Sequence, residues 1–189
     1  MRREVSVEDI SDGKLYTAND LVKADCNGCE GCSKCCTGMG SSIVLDPLDV
    51  YELTTNLQVT FDELVNYSLE LNIVDGVILP NIKMTGKKGR CSFLSDTGRC
   101  TVHEFRPGIC RLFPLGRIYE DGSFRYFLQV NECPKENKTK VKVKKWIDVV
   151  NIHENEEYIN SWHYFLKDLE QAIENSDNPE RVKQISMYV

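Results

Sequence analysis

Apolar and polar positions along the chain change rhythm several times. Residues 1–25 are polar without a clear period and read as a lead-in arm. In "SSIVLDPLDVYELTTNL", Ile43, Val44 and Leu45 form a short apolar run of strand type. Asp46 then caps a helix over about 47–56, with Pro47 at the first helical position, where its missing N–H costs nothing. "TFDELVNYSLELN" opens with a capping box, Thr60 with Glu63, and carries Leu64, Tyr67 and Leu71 at helical spacing. "NIVDGVILPNIKM" places an Asp-Gly turn between two apolar stretches and predicts a hairpin whose second strand is weakened by Pro80. "LGRIYEDGSFRYFLQV" predicts another, turning at Glu120, Asp121 and Gly122. The rest of 86–133 is rich in turn residues. "KENKTKVKVKK" (135–145) reads as a solvated connector or helix face. "NSWHYFLKDLEQAIENS" is helical, with Tyr158, Trp162, Phe165, Leu169 and Ile173 on one stripe that predicts core packing. A short terminal helix starts near Pro179.

These elements predict one α+β domain of 189 residues. It comprises an arm (1–25), a loop-rich cysteine region with short strands and hairpins (26–133), and a helical C-terminal region packed on it (134–189). The apolar fraction of 41% and the charged fraction of 28% suit a soluble globular chain that buries its own core. The net charge of −6 disfavours nucleic acid and anionic membranes as partners and leaves a protein partner open. No apolar run reaches the roughly 18 residues of a membrane span. Two arginines near the start precede no apolar stretch, so no secretory signal is read and the expected compartment is the cytoplasm.

That compartment is reducing, which turns attention to nine cysteines: Cys26, Cys29, Cys32, Cys35, Cys36, Cys91, Cys100, Cys110 and Cys133. Disulfides are disfavoured there, and a chain this long needs none. Five of the nine crowd into "CNGCEGCSKCC" (26–36). Thiolates are soft, anionic ligands suited to zinc and to iron–sulfur clusters. Two-residue gaps let sulfurs converge on one small centre while intervening amides point at them. Cys26, Cys29, Cys32 and Cys36 reproduce the C-x2-C-x2-C-x3-C spacing of bacterial ferredoxins, which hold 4Fe–4S clusters, although Thr37 stands where that motif has proline. Cys35 and Cys36 are adjacent, and neighbouring side chains of an extended segment point to opposite sides, so their sulfurs need not serve one centre. The widely spaced Cys91, Cys100, Cys110 and Cys133 require the tertiary fold to assemble them.

"CEGCSKCC", followed by "CSFLSDTGRCTVHEFRPGICRLFP", resembles the YkgJ-type cysteine-cluster family of zinc or iron chelators. The resemblance rests on Cys29, Cys32, Cys35, Cys36, Cys91, Phe93, Leu94, Cys100, Arg106, Pro107, Cys110, Arg111, Phe113, Pro114 and Cys133. It implies a metal site built from those eight cysteines, with Cys26, outside the family's core pattern, as a ninth candidate. His103 stands where the family carries an aromatic and is read as an ordinary polar neighbour of the site. Arg106 and Arg111 flank Cys110. Either they support the centre by offsetting thiolate charge, or they act as forks that tie loop carbonyls together.

Three function classes follow. An iron–sulfur protein in redox chemistry, sensing or an enzyme-accessory role is preferred. A zinc protein whose metal supports a binding surface is the alternative. A catalytic relative of a flagellin lysine methylase, which resembles this family in its cysteine region, is the third. No glycine-rich nucleotide loop and no Ser-His-Asp set is legible, so no catalytic residue is assigned.

Overall fold

The computed structural model describes residues 6–26 and 32–187. Its α+β architecture consists of two-stranded antiparallel pairs with helices between them. A one-turn helix, α1 (Val7–Ile10), leads to β1 (Leu21–Asp25), which pairs with β8 (Thr139–Lys142). Much of the expected arm is therefore core. Val22 and Ala24 are fully buried, and Tyr16 bridges to Tyr126. The in–out alternation of "LVKAD" is only five residues long, too short to stand out from the polar stretch before it. The lysine-rich stretch includes the expected helix face and, beyond expectation, a strand. It contains β8 and the helix α5 (Val143–Ile147), with Val143 and Ile147 buried and lysines on the outer face.

The expected capping box at Thr60 forms, and the expected Asp46 cap closes into a second box with Asp49. They start α2 (Pro47–Leu57) at Asp46 and α3 (Phe61–Tyr67) at Thr60. The latter helix stops four residues before Leu71, because β2 (Leu69–Val74) takes over and turns through Asp75 and Gly76 into β3 (Val77–Ile82). Asp75 and Gly76 both have positive φ, as a tight hairpin turn requires. Pro80 sits inside β3, opposite Leu71. Its carbonyl accepts from the Leu45 N–H, so its missing donor faces that side and takes nothing from the β2 ladder. The Ile43–Leu45 run thus lines the outer edge of β3, bridging at Val44 and Asn81.

The middle block is held by a pair of two-residue strands, β4 (Met84–Thr85) and β5 (Arg90–Cys91), and by single 3₁₀ turns at Lys34–Cys36 and His103–Phe105. A five-residue helix, α4 (Gly108–Leu112), follows. The second hairpin is β6 (Leu115–Glu120) with β7 (Ser123–Leu128), turning at Asp121 and Gly122 as expected. Gly116 is opposite Phe127, whose ring fills the space where a Cβ would stand. The chain ends in α6 (Ile152–Glu174) and α7 (Pro179–Ser186).

Two apolar clusters result. One joins β1, β6–β7 and α5 around Val22, Leu115, Tyr126, Val143 and Ile147. The other joins α2, α3 and the β2–β3 hairpin around Leu45, Leu53, Leu64, Leu69 and Ile82, with Cys91 inside it and Cys36, Cys100 and Cys110 packed against it. α4 is the seam, since Leu112 belongs to the first cluster and Cys110 touches the second.

The α6 stripe differs from expectation. Tyr158, Trp162, Phe165, Leu169 and Ile173 are only half-buried, and Ile159 is the residue of this helix that is buried. Side-chain hydrogen bonds fasten the helix instead. Asn160 donates to the Gly122 carbonyl at 2.7 Å, the Gly122 N–H donates to Tyr164 at 3.0 Å, and Tyr158 donates to Asp46 at 3.2 Å. Among the described residues, no helix is long and apolar enough to cross a membrane.

The burial of β1 is directly testable. Val22→Ala should destabilise the protein by about 2 kcal/mol, because it opens a cavity in the first cluster. Leu15→Ala, at a half-exposed position only seven residues earlier, should stay within about 0.5 kcal/mol. Chemical denaturation of both variants measures the difference, and equal effects would mean that this segment does not share the core.

Candidate metal centre

Three short segments carry sulfur to one place. The 3₁₀ turn at Lys34–Cys36 presents Cys35 and Cys36, with Cys32 just before it. β5 ends on Cys91, and an isolated bridge between Leu94 and Cys100 folds the next loop back on itself. α4 supplies Cys110. All six sulfur-bearing residues line a single cavity of about 580 Å³. The Cys35 and Cys36 sulfurs are 3.9 Å apart.

Two backbone amides point at sulfur, that of Phe93 at Cys91 and that of Val102 at Cys100. Such bonds favour the thiolate, although burial outweighs them and holds both thiols above the ordinary range. Cys35 is the exception. The hydrogen bond from Cys36 brings it down to about 7, against burial and with help from Arg106. Cys36 is driven up, because its own proton is the one shared with Cys35. Cys110 is also driven up, chiefly by burial and then by the nearby Asp49 carboxylate.

The two arginines divide the roles left open by sequence. Arg111 is a structural fork: Nε donates to the Arg106 carbonyl at 3.1 Å, Nη1 to the Asp148 carbonyl at 3.1 Å, and Nη2 to the Glu104 carbonyl. Arg106 lines the cavity and favours the charged forms of Cys35 and Cys100. Its Nη1 donates to His103 Nε2 at 2.8 Å, while its buried Nε has no hydrogen-bond partner among the described residues. Burial and the adjacent guanidinium lower the His103 pKa, so this imidazole accepts from Arg106 as a neutral ring.

Asp49 is the site residue that sequence reading missed. It was legible as a helix-capping residue three positions after Asp46, but its second bond spans 59 residues: the Gly108 N–H donates to Asp49 Oδ1 at 2.7 Å. This bond fixes the start of the helix that bears Cys110. Burial and the Asp46 carboxylate push the Asp49 carboxyl up to about 7.

Not every candidate is brought in. Cys26 is buried at the end of β1, and Cys133 follows β7, its carbonyl accepting from Lys138 Nζ at 3.0 Å. Neither lines the cavity, although Glu132 does. Cys29 lies outside the described residues. None of the described cysteines is in a disulfide.

Among the described residues, no three Cys, His, Asp or Glu donors already stand at metal-binding distances around one point. Protonated thiols have no reason to crowd closer, and ionised ones repel. The donor chemistry nonetheless fits a thiophilic metal: soft sulfurs, amide donors aimed at them, one guanidinium and apolar walls.

The model of the CxxCxxCC family, described as a "putative zinc- or iron-chelating domain", matches residues 28–145. The chain belongs to this family. No curated protein and no solved structure shows a significant match. The CxxCxxCC assignment supports metal binding through the cysteines and names zinc or iron as the metal. The matched span includes the cysteine segments, both arginines, β8 and the first half of α5.

The division between the arginines predicts different failures. Arg111→Ala should lower the unfolding free energy of the metal-loaded protein by roughly 1–3 kcal/mol, because it strands three carbonyl acceptors. Arg106→Ala should change stability less but speed metal loss to a chelator. Paired unfolding curves and chelator kinetics test this, and the opposite pattern would reverse the two roles.

Proposed function

We propose that the protein is an iron–sulfur protein whose centre is held by Cys32, Cys35, Cys36, Cys91, Cys100 and Cys110, with Cys29 and Cys133 as further ligands and Cys26 as a candidate in reserve. The supporting observation is the convergence of six cysteine residues from three segments on one cavity. An iron–sulfur cluster and a closed zinc site each take four thiolates, so the count leaves both open; the soft, all-sulfur donor set suits a cluster. The ferredoxin-like spacing of Cys26, Cys29, Cys32 and Cys36 points the same way.

An iron–sulfur cluster, when bound, supplies one-electron chemistry. The chain's own residues do the rest. Cys35, with its pKa near 7, is poised to ionise early, whereas buried Cys110 gives up its proton only to a metal. Arg106 offsets the negative charge that ligation accumulates, and the Phe93 and Val102 amides orient two sulfurs. Phe93, Leu94 and Ile109 wall the site and limit water. The role fits redox transfer, sensing or support of an enzyme in the cytoplasm.

Anaerobically purified protein should be brown and contain iron and acid-labile sulfide in matching amounts. Colourless protein with stoichiometric zinc and no sulfide would decide for the zinc reading. Ser at Cys32, Cys36, Cys91, Cys100 or Cys110 should reduce metal content, while Cys26→Ser should be milder. Metal removal should also loosen 86–133 more than α6, because that block has little regular structure of its own. Hydrogen exchange before and after chelation reads this, and equal protection in both states would show that the metal does not organise the block.

A further inference from the structure

The cavity that receives the sulfurs is far larger than an ion requires. At about 580 Å³ it falls within the range of sites for small organic molecules. It runs from the thiols to α6, where Trp162, His163 and Leu166 form its opposite wall. Trp162 belongs to the stripe that the hydrophobic pattern predicts as core, and all three residues are left half-buried. The helix is fastened through its polar side chains to the β6–β7 turn and to the start of α2, and its apolar face spans the opening between.

The walls at this end are flat. The Tyr119 ring stacks on the His163 ring, with centroids 3.5 Å apart and planes 8° from parallel, and Phe127 lies over Gly116 in the same lining. Ring faces of this kind pack well against other rings. Opposite charges stand near one another here, although the buried Arg117 Nε has no hydrogen-bond partner among the described residues. Arg117 is close enough to Asp46 and Asp49 to favour their ionised forms, and Lys167 is paired with Glu170 at 2.5 Å. An ionic ligand would have to disrupt these pairs, whereas an uncharged one need not.

We propose that this chamber binds a neutral, ring-bearing organic molecule between α6 and the β6–β7 hairpin, with one edge directed toward the cysteine centre. The inference rests on the metal-centre reading only for what lies at the far end. The ligand's body is held by Trp162, Leu166, Phe127 and the Tyr119–His163 stack. That stack and the hydrogen bonds at Gly122 make α6 the wall that must shift for entry.

The probe for the test is N-phenyl-1-naphthylamine, a neutral aromatic dye that becomes fluorescent in apolar surroundings. The as-isolated, metal-bearing protein should bind it saturably at one site. Trp162 emission should fall as the dye binds, and Trp162→Phe should remove most of that quenching. Leu166→Trp, which narrows the chamber beside Trp162, should weaken saturable binding strongly. Leu166→Phe, a smaller filling, guards against a folding defect and should weaken binding while leaving helical circular dichroism unchanged. Metal-bearing protein without saturable binding, or binding indifferent to both Leu166 variants, would overturn the chamber and leave the metal centre standing. Metal is measured on the same samples. Saturable, Leu166-dependent binding in protein that holds no metal would support the chamber and sink the centre.

Discussion

The bond from the Gly108 amide to the Asp49 carboxylate is the constraint on which the sulfur site depends. α4 has five residues, too few to persist alone. Asp49 pins its first residue to α2, a helix that is itself closed by the reciprocal Asp46–Asp49 cap. Once pinned, α4 delivers Cys110 to one apolar cluster and Leu112 to the other. The arrangement is electrostatically unfavourable. Burial and then the Asp46 carboxylate raise the Asp49 carboxyl, and the Asp49 carboxylate in turn adds to the burial that raises the thiol of Cys110. A position chosen only for stability would avoid placing these groups together. Their proximity makes sense where a cation would relieve both.

The same logic governs the other sulfurs. Cys91, Cys100 and Cys110 are held neutral by burial, and Cys36 by the hydrogen bond it gives to Cys35. Against this the fold sets amides at Cys91 and Cys100 and the guanidinium of Arg106. These groups cannot ionise the set by themselves. They lower the cost of ionising it when positive charge arrives, which is how a preorganised thiolate site differs from a chance cluster of buried cysteines.

Local signals carried much of the fold. The Asp46 cap, the Thr60 capping box, both Asp-Gly hairpin turns and the Pro179 helix start depend on residues within a few positions of each other, so they were legible without the tertiary structure. The failures were short or long-range. β1 and β8 are five and four residues long, and each is recognisable only through the other. Leu71 kept helical spacing with Leu64, yet its strand partner decided its state. At the site, residue types and order named nine candidate cysteines, of which six line the cavity and Cys26 and Cys133 do not. Spacing could not show that Arg106 faces the cavity sulfurs while Arg111 ties carbonyls, because sequence order places both simply on either side of Cys110. Nor could it reveal Asp49, whose cap is local but whose task lies 59 residues away.

The two apolar clusters answer to different physics. The first is closed by paired strands and a helix, and its members touch one another. The second ends in sulfur and then in open volume, with α6 laid across rather than packed down. A metal that served only as a staple would need fewer thiols and no adjoining space. It would also leave the Trp162–Leu166 face free to sink into the protein, since burying that face is favourable by roughly 25 cal/mol per Å². The side chains of Tyr158, Asn160 and Tyr164, which hold its first half to the start of α2 and to the β6–β7 turn, keep it from doing so. Retaining a cavity beside the proposed centre works against stability, and a fold that does so is shaped for something to occupy that space.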